Sequence, residues 1–100
     1  MVLNAPGEPL ALQELPLPRP LPGQLLLKVK ACAVCRTDLH VVDGDLKPCC
    51  ASIVPGHEIV AEVAGLGEGV TGFKEGQRVG VGWLGFTCGE CEFCRRGQEK

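Results

Sequence analysis

The clearest alternation of apolar and polar positions lies at 24–34, QLLLKVKACAV. From Leu27 onward, Leu27, Val29, Ala31 and Ala33 fall on one face and Lys28, Lys30 and Cys32 on the other, the two-residue period of a half-buried strand. Two more strand-like runs follow, at 58–64 and at 78–83 (RVGVGW). Between the first two, CRTDLHVVDGD predicts a short helical turn opened by Arg36 or Thr37 and closed by Asp43 with Gly44. The segment 15–23, LPLPRPLPG, carries Pro16, Pro18, Pro20 and Pro22 in alternation, which forces an extended run. A ligand for a proline-binding domain has this look, but a strand follows at once, so the segment reads as a connector. There is no heptad, internal repeat or interdomain linker.

One hundred residues make one domain, and 14 Gly with 8 Pro among short apolar runs favour a mainly β fold. The net charge of −2 is spread along the chain, and only Arg95 and Arg96 stand together. That speaks against a nucleic-acid or anionic-membrane partner. No window of about 18 apolar residues exists to cross a membrane. The N-terminus lacks a basic segment followed by an apolar run, which predicts a cytoplasmic protein. There are seven cysteines, an odd number. In a reducing compartment, cysteines at ligand spacing point to metal before disulfides.

Residues 67–72, GEGVTG, match the glycine pattern of dinucleotide-binding loops. That pattern works only where the glycines open a helix whose N-terminus faces the pyrophosphate. Here Phe73, Lys74, Glu75, Gly76 and Gln77 lead into another strand, with no room for a crossover helix. The stretch is read as a glycine-rich turn between strands.

Two constellations carry chemistry. Cys88, Cys91 and Cys94 sit at two-residue gaps, which let consecutive thiolates converge on one zinc ion, and Gly89 in the first gap helps the backbone bend. A closed structural site needs a fourth ligand, and none lies close in sequence. Cys35 and His57 are the second pair, each at the end of a predicted strand, a rigid place to present a soft thiolate and an imidazole. Two ligands hold a metal poorly, and a lone histidine is more often structural. Near them Asp38 can accept the other ring proton of a metal-bound His57. Thr37 and His40 can pass a proton. Equally, Thr37 can be a helix cap and 38–40 a polar turn, and the residues by themselves favour that plainer reading.

Taken in order, ACAVCRTDLH at 31–40, PGHEIVAEV at 55–63, GVTGFKEGQRVGVGWLGFTCGECEFC at 69–94 and GQE at 97–99 resemble the zinc-dependent alcohol dehydrogenases of the medium-chain dehydrogenase/reductase superfamily. The resemblance implies a GroES-like β-barrel with short helical turns and a cysteine-rich zinc lobe. It implies that residues 1–100 are the N-terminal part of such a catalytic domain, with the structural zinc lobe at 88–100 incomplete and the Rossmann domain absent. In the family a fourth cysteine follows the third at short distance, which falls beyond Lys100.

By the same resemblance, Cys35 and His57 are ligands of a catalytic zinc whose third ligand lies downstream. Cys88, Cys91 and Cys94 are structural-zinc ligands. Glu58 lies near the catalytic metal, and Asp38 sits behind the histidine. Thr37 hydrogen-bonds the alcohol, His40 relays its proton through the cofactor ribose, and Arg36 contacts the cofactor phosphates. Trp83 and Leu84 line the substrate pocket. The implied reaction is reversible oxidation of an alcohol to an aldehyde or ketone with hydride transfer to NAD or NADP. It would need two zinc ions per subunit of a homodimer or homotetramer, and the 100 residues alone are expected to be inactive.

The chain departs from the family at KPCCAS, 47–52, where relatives carry prolines and aliphatics, and at Lys100, where an asparagine is common. Cys49 and Cys50 are read as loop residues. Polyol dehydrogenases are the nearest alternative, though many lack the cysteine lobe. A zinc-ribbon interaction module would leave Cys35 and His57 unexplained. A co-chaperonin-like barrel would have no use for the cysteines.

Overall fold

The computed structural model describes residues 1–46, 50 and 52–99. Its frame is one antiparallel sheet of three strands in the order β1 (Leu25–Ala33), β2 (Glu58–Leu66) and β3 (Arg78–Val81). A helix α1 (Arg36–Asp43) follows β1, and a short helix α2 (Glu92–Arg95) lies in the cysteine-rich segment. The expected mainly β architecture is present, and the described residues supply an open three-stranded part of it.

β2 runs to Leu66, beyond the expected end at 64, because Leu66 and Gly65 pair with Leu25 and Leu26 of β1. β3 stops at Val81, so Gly82 and Trp83 leave the ladder. The alternation of β1 does not become one buried face. Leu25, Leu26 and Leu27 are half-buried, while Val29, Ala31 and Ala33 are exposed. The register slips between Leu26 and Leu27 and again between Val29 and Ala31, and each slip resets the two-residue phase. Neither helix packs on the sheet among the described residues.

Among the described residues, the buried apolar ones are Val2, Leu3, Ala61 and Val63. The first two come from the N-terminus, which crosses the molecule by single bridges: Val2 to Ala11 and Leu3 to Ile53. The proline-rich segment forms neither helix nor strand, and Leu12, Leu15, Leu17 and Leu21 are exposed. Its final turn docks on the β2–β3 loop: Gly67 N–H donates to Gln24 O (2.8 Å) and Gly23 N–H to Glu68 O (2.9 Å). GEGVTG is thus a loop between antiparallel strands, as read from the sequence, with Gly69 and Gly72 at positive φ. Cys50 is exposed outside helix and strand; Lys47, Pro48, Cys49, Ala51 and Lys100 lie outside the described residues.

Candidate metal centres

α1 opens directly after Cys35, which caps it. The Cys35 backbone is extended (φ −106°, ψ −178°), and its Sγ accepts the N–H of Thr37 at 3.3 Å. Asp38 reciprocates, its Oδ2 accepting the N–H of Cys35 at 2.8 Å, a capping box with a thiol in place of a hydroxyl. Gly44, in the left-handed conformation at φ 89°, ends the helix. Opening at Arg36 and closing at Asp43 with Gly44 matches the sequence reading. The cap is Cys35, not Thr37.

Asp38 is the only buried charged residue described, 7% exposed, and three N–H groups converge on it. Besides Cys35, the N–H of Gly56 donates to Oδ1 at 2.9 Å, and Nδ1 of His57 lies 3.1 Å from the same oxygen. With Nδ1 donating to Asp38, Nε2 of His57 keeps the free lone pair. Ligand atoms of Cys35, Asp38 and His57 lie within 4.8 Å of one another. A thiol, an imidazole and a carboxylate at that separation suit zinc.

The electrostatics favour the charged or ligating forms. Hydrogen bonds from Thr37 lead in lowering the Cys35 thiol below its ordinary value. Burial is the largest single influence on Asp38 and pushes its carboxyl up. The hydrogen bonds from Cys35, Gly56 and His57 together outweigh it, so the net shift is downward. Asp38, through its hydrogen bond, raises His57 above the ordinary 6.5.

A lowered carboxyl stabilises the fold above its ordinary value of 3.8, and that contribution is lost as pH falls through the folded value. A raised imidazole stabilises fully below 6.5, and its contribution is lost as pH rises through the folded value. The metal-free chain should therefore lose stability as pH rises past 6.5, and His57→Gln should lack that slope. Urea unfolding at a series of pH values checks this; parallel profiles for the two proteins would rule the pair out as its source.

A cavity of about 790 Å³ opens beside the cluster, lined by Thr37, Asp38, Val41, His57, Glu58, Gly82 and Trp83. The fold thus brings Thr37, Glu58 and Trp83 to the Cys35–His57 pair. Arg36, His40 and Leu84 do not line it. Nδ1 of His40 is engaged by Asp45 Oδ2 at 2.8 Å. The sequence reading missed Gly56, whose position directly before His57 was the available signal. It also missed Val41, one helical turn after Thr37 on the cavity side of α1.

The second cluster is assembled by a turn and α2. Gly89 takes φ 72°, Cys91 caps α2, and Cys94 lies on it. The sulfurs of Cys88 and Cys94 are 3.8 Å apart, those of Cys91 and Cys94 3.5 Å, and the Cys91 N–H donates to Cys88 Sγ at 3.3 Å. That amide leads in drawing the Cys88 thiol down to about 7. The thiol hydrogen bond shared with Cys91 pushes Cys94 up. Three sulfurs at this spacing suit one triangular face of a tetrahedral thiolate site.

Residues 21–100 match the family of alcohol dehydrogenase GroES-like domains. The chain is 52% identical over 95 residues to an alcohol dehydrogenase of Rhizobium meliloti, covering 93% of this chain and 28% of that protein. It is 46% identical over 100 residues to one from Moraxella sp., covering 98% and 29%. Among solved structures, a cobalt- and zinc-bound thermostable alcohol dehydrogenase from Pyrobaculum aerophilum superposes with a TM-score of 0.89 at 37% identity, over 98% of this chain and 30% of that one. The chain spans well under a third of the length of these relatives.

Proposed function

The chain belongs to the alcohol dehydrogenase GroES-like domain family, and on that premise we propose that it forms the metal-binding part of a zinc-dependent alcohol dehydrogenase. The reaction is reversible oxidation of an alcohol to an aldehyde or ketone, with NAD or NADP accepting the hydride. The observation that carries this reading is the Asp38 carboxylate, 3.1 Å from Nδ1 of His57, in a cluster whose Cys35, Asp38 and His57 ligand atoms lie within 4.8 Å of one another; with Nδ1 donating to Asp38, Nε2 is left free to bind a metal.

Cys35 and His57 are the candidate catalytic-zinc ligands. Cys88, Cys91 and Cys94 are three candidate ligands of a structural zinc. Zinc at the first site would act as a Lewis acid that lowers the pKa of a bound alcohol hydroxyl. Asp38 fixes the tautomer and orientation of His57. Thr37 lines the cavity, and its hydroxyl is assigned the hydrogen bond with the alcohol. Glu58 stands at the cavity wall near the ligands, and Trp83 supplies an apolar side for the substrate's carbon chain. Leu84 stands beside Trp83 in sequence, and Arg36 is assigned to the cofactor phosphates. His40, held by Asp45, is assigned the outer step of the proton relay.

Residues 1–100 correspond to the N-terminal part of the catalytic domain, with the structural lobe at 88–100. Turnover needs a third catalytic-zinc ligand and a nucleotide-binding domain that these residues do not supply. The complete enzyme would be a cytoplasmic homodimer or homotetramer.

The test is a chimera in which these 100 residues replace the corresponding part of the Rhizobium meliloti enzyme. It should oxidise small alcohols with NAD or NADP, and His57→Ala in it should lose one zinc per subunit and its turnover. Full zinc content and activity in that variant would refute the ligand assignment.

A further inference from the structure

We infer that Gly56 is a positioning residue for His57, and that the Cys32 thiol on β1 enforces glycine there. This rests on the reading of His57 as a metal ligand and adds two residues that reading does not use.

Gly56 has φ +106°, a backbone conformation that L side chains rarely adopt. A Cβ at this position would lie 2.5 Å from Cys32 Sγ and 3.5 Å from Ala33 O. The space beside residue 56 is thus filled by β1. The backbone of Cys32 is held by its pairing with Ile59, two residues beyond His57 on the adjoining strand, so a side chain at 56 could be admitted only by rotating the Cys32 thiol away. That thiol also points at Ala33 O, 3.7 Å away.

The positive φ at Gly56 has a purpose that can be read from its partners. Gly56 N–H and His57 Nδ1 meet the same oxygen of Asp38, at 2.9 and 3.1 Å, while Cys35 N–H holds the other oxygen at 2.8 Å. Rotating the peptide at 56 would withdraw its N–H from Oδ1 and carry the start of residue 57 with it. The thiol wall, the glycine and the carboxylate therefore set the ring of His57 together. β1 reaches the site twice: through Cys35 just past its end and through Cys32 within it.

A double-mutant cycle on the metal-free chain tests this, read by the 15N shifts of the His57 ring at a pH well above its titration. Wild type and Cys32→Ser should hold the Nδ1–H tautomer. Gly56→Ala should move the tautomer ratio towards Nε2–H by about tenfold, the worth of one hydrogen bond to a carboxylate. Cys32→Ala combined with Gly56→Ala should recover roughly half of that shift in logarithmic terms, because the steric part is relieved and the φ strain is not. Should Gly56→Ala fail to fold, Cys32→Ala alone reads the wall, with an expected shift of about two- to threefold.

A tautomer ratio unchanged in Gly56→Ala, with only the melting temperature lowered, would leave Gly56 merely structural and overturn the inference. A double variant no better than Gly56→Ala would remove Cys32 from it. Zinc added to the wild-type chain should shift His57 Nε2. Absence of that shift counts against the metal-ligand reading alone, since the tautomer arm needs no metal.

Discussion

Asp38→Ala is expected to destabilise the metal-free chain by about 3–5 kcal/mol. Three N–H donors point at this carboxylate, two of them backbone groups at a site where Asp38 itself is 7% exposed. Each donor left without an acceptor costs roughly 1–3 kcal/mol, and hydrogen bonds to a charged group are the stronger kind. The loss is a large share of what holds a domain of this size together. Asp38→Asn should cost about half as much, since one amide oxygen remains while the NH2 group faces a donor. Urea unfolding measures both. In both variants the His57 ring loses its fixed tautomer, and zinc affinity at the Cys35–His57 pair should fall by about 10–100-fold. A cost under about 1 kcal/mol for Asp38→Ala would mean that water from the adjoining cavity satisfies all three donors.

Gly67→Ala is the second large effect, at about 3 kcal/mol. The first glycine of GEGVTG has no positive φ to defend; its requirement is space. A Cβ there would run into Leu21 O and come within 2.9 Å of Gln24 O. Both are backbone atoms already engaged: Leu21 O accepts from Gln24 N–H (3.0 Å) and Gln24 O from Gly67 N–H (2.8 Å). They cannot swing aside as a side chain would, so the turn at 21–24 must part from the β2–β3 loop. Overpacking of this kind costs roughly 1–3 kcal/mol, and the docking hydrogen bonds add to it. Gly76→Ala is the control. Gly76 sits at φ 78°, and a Cβ added there would meet nothing within 4 Å, so only left-handed strain of about 1 kcal/mol applies. Thermal unfolding of the two variants separates sterics from strain. Equal melting temperatures would show that the turn yields freely.

The glycine pattern at 67–72 shows how far local reading carries. Its context excluded a nucleotide-binding helix, and the structure has a loop there. What the glycines do instead was not legible, because the carbonyls that crowd Gly67 come from the proline-rich turn over forty positions away. The N-terminus is a similar case. Val2 and Leu3 carry no periodic signal, yet they are buried like Ala61 and Val63 of β2. β1 gives the opposite lesson. Its alternation was plain in sequence, but two register slips break the phase and leave Val29 exposed.

The sequence by itself determined the family, the mainly β class, the limits of α1 and the identity of the sulfur and imidazole groups. Those properties rest on residue types at short, fixed spacings, where covalent geometry does most of the ordering. Only the tertiary structure decided that Cys35 caps α1, and that Asp38 accepts hydrogen bonds from three separate residues. It also placed Gly56 against Cys32, Trp83 and Val41 on the cavity, and His40 on Asp45. Each of these joins segments through β1–β2 pairing or a turn, and the distance across such a join follows from register and backbone rotation, which no local run of residues encodes.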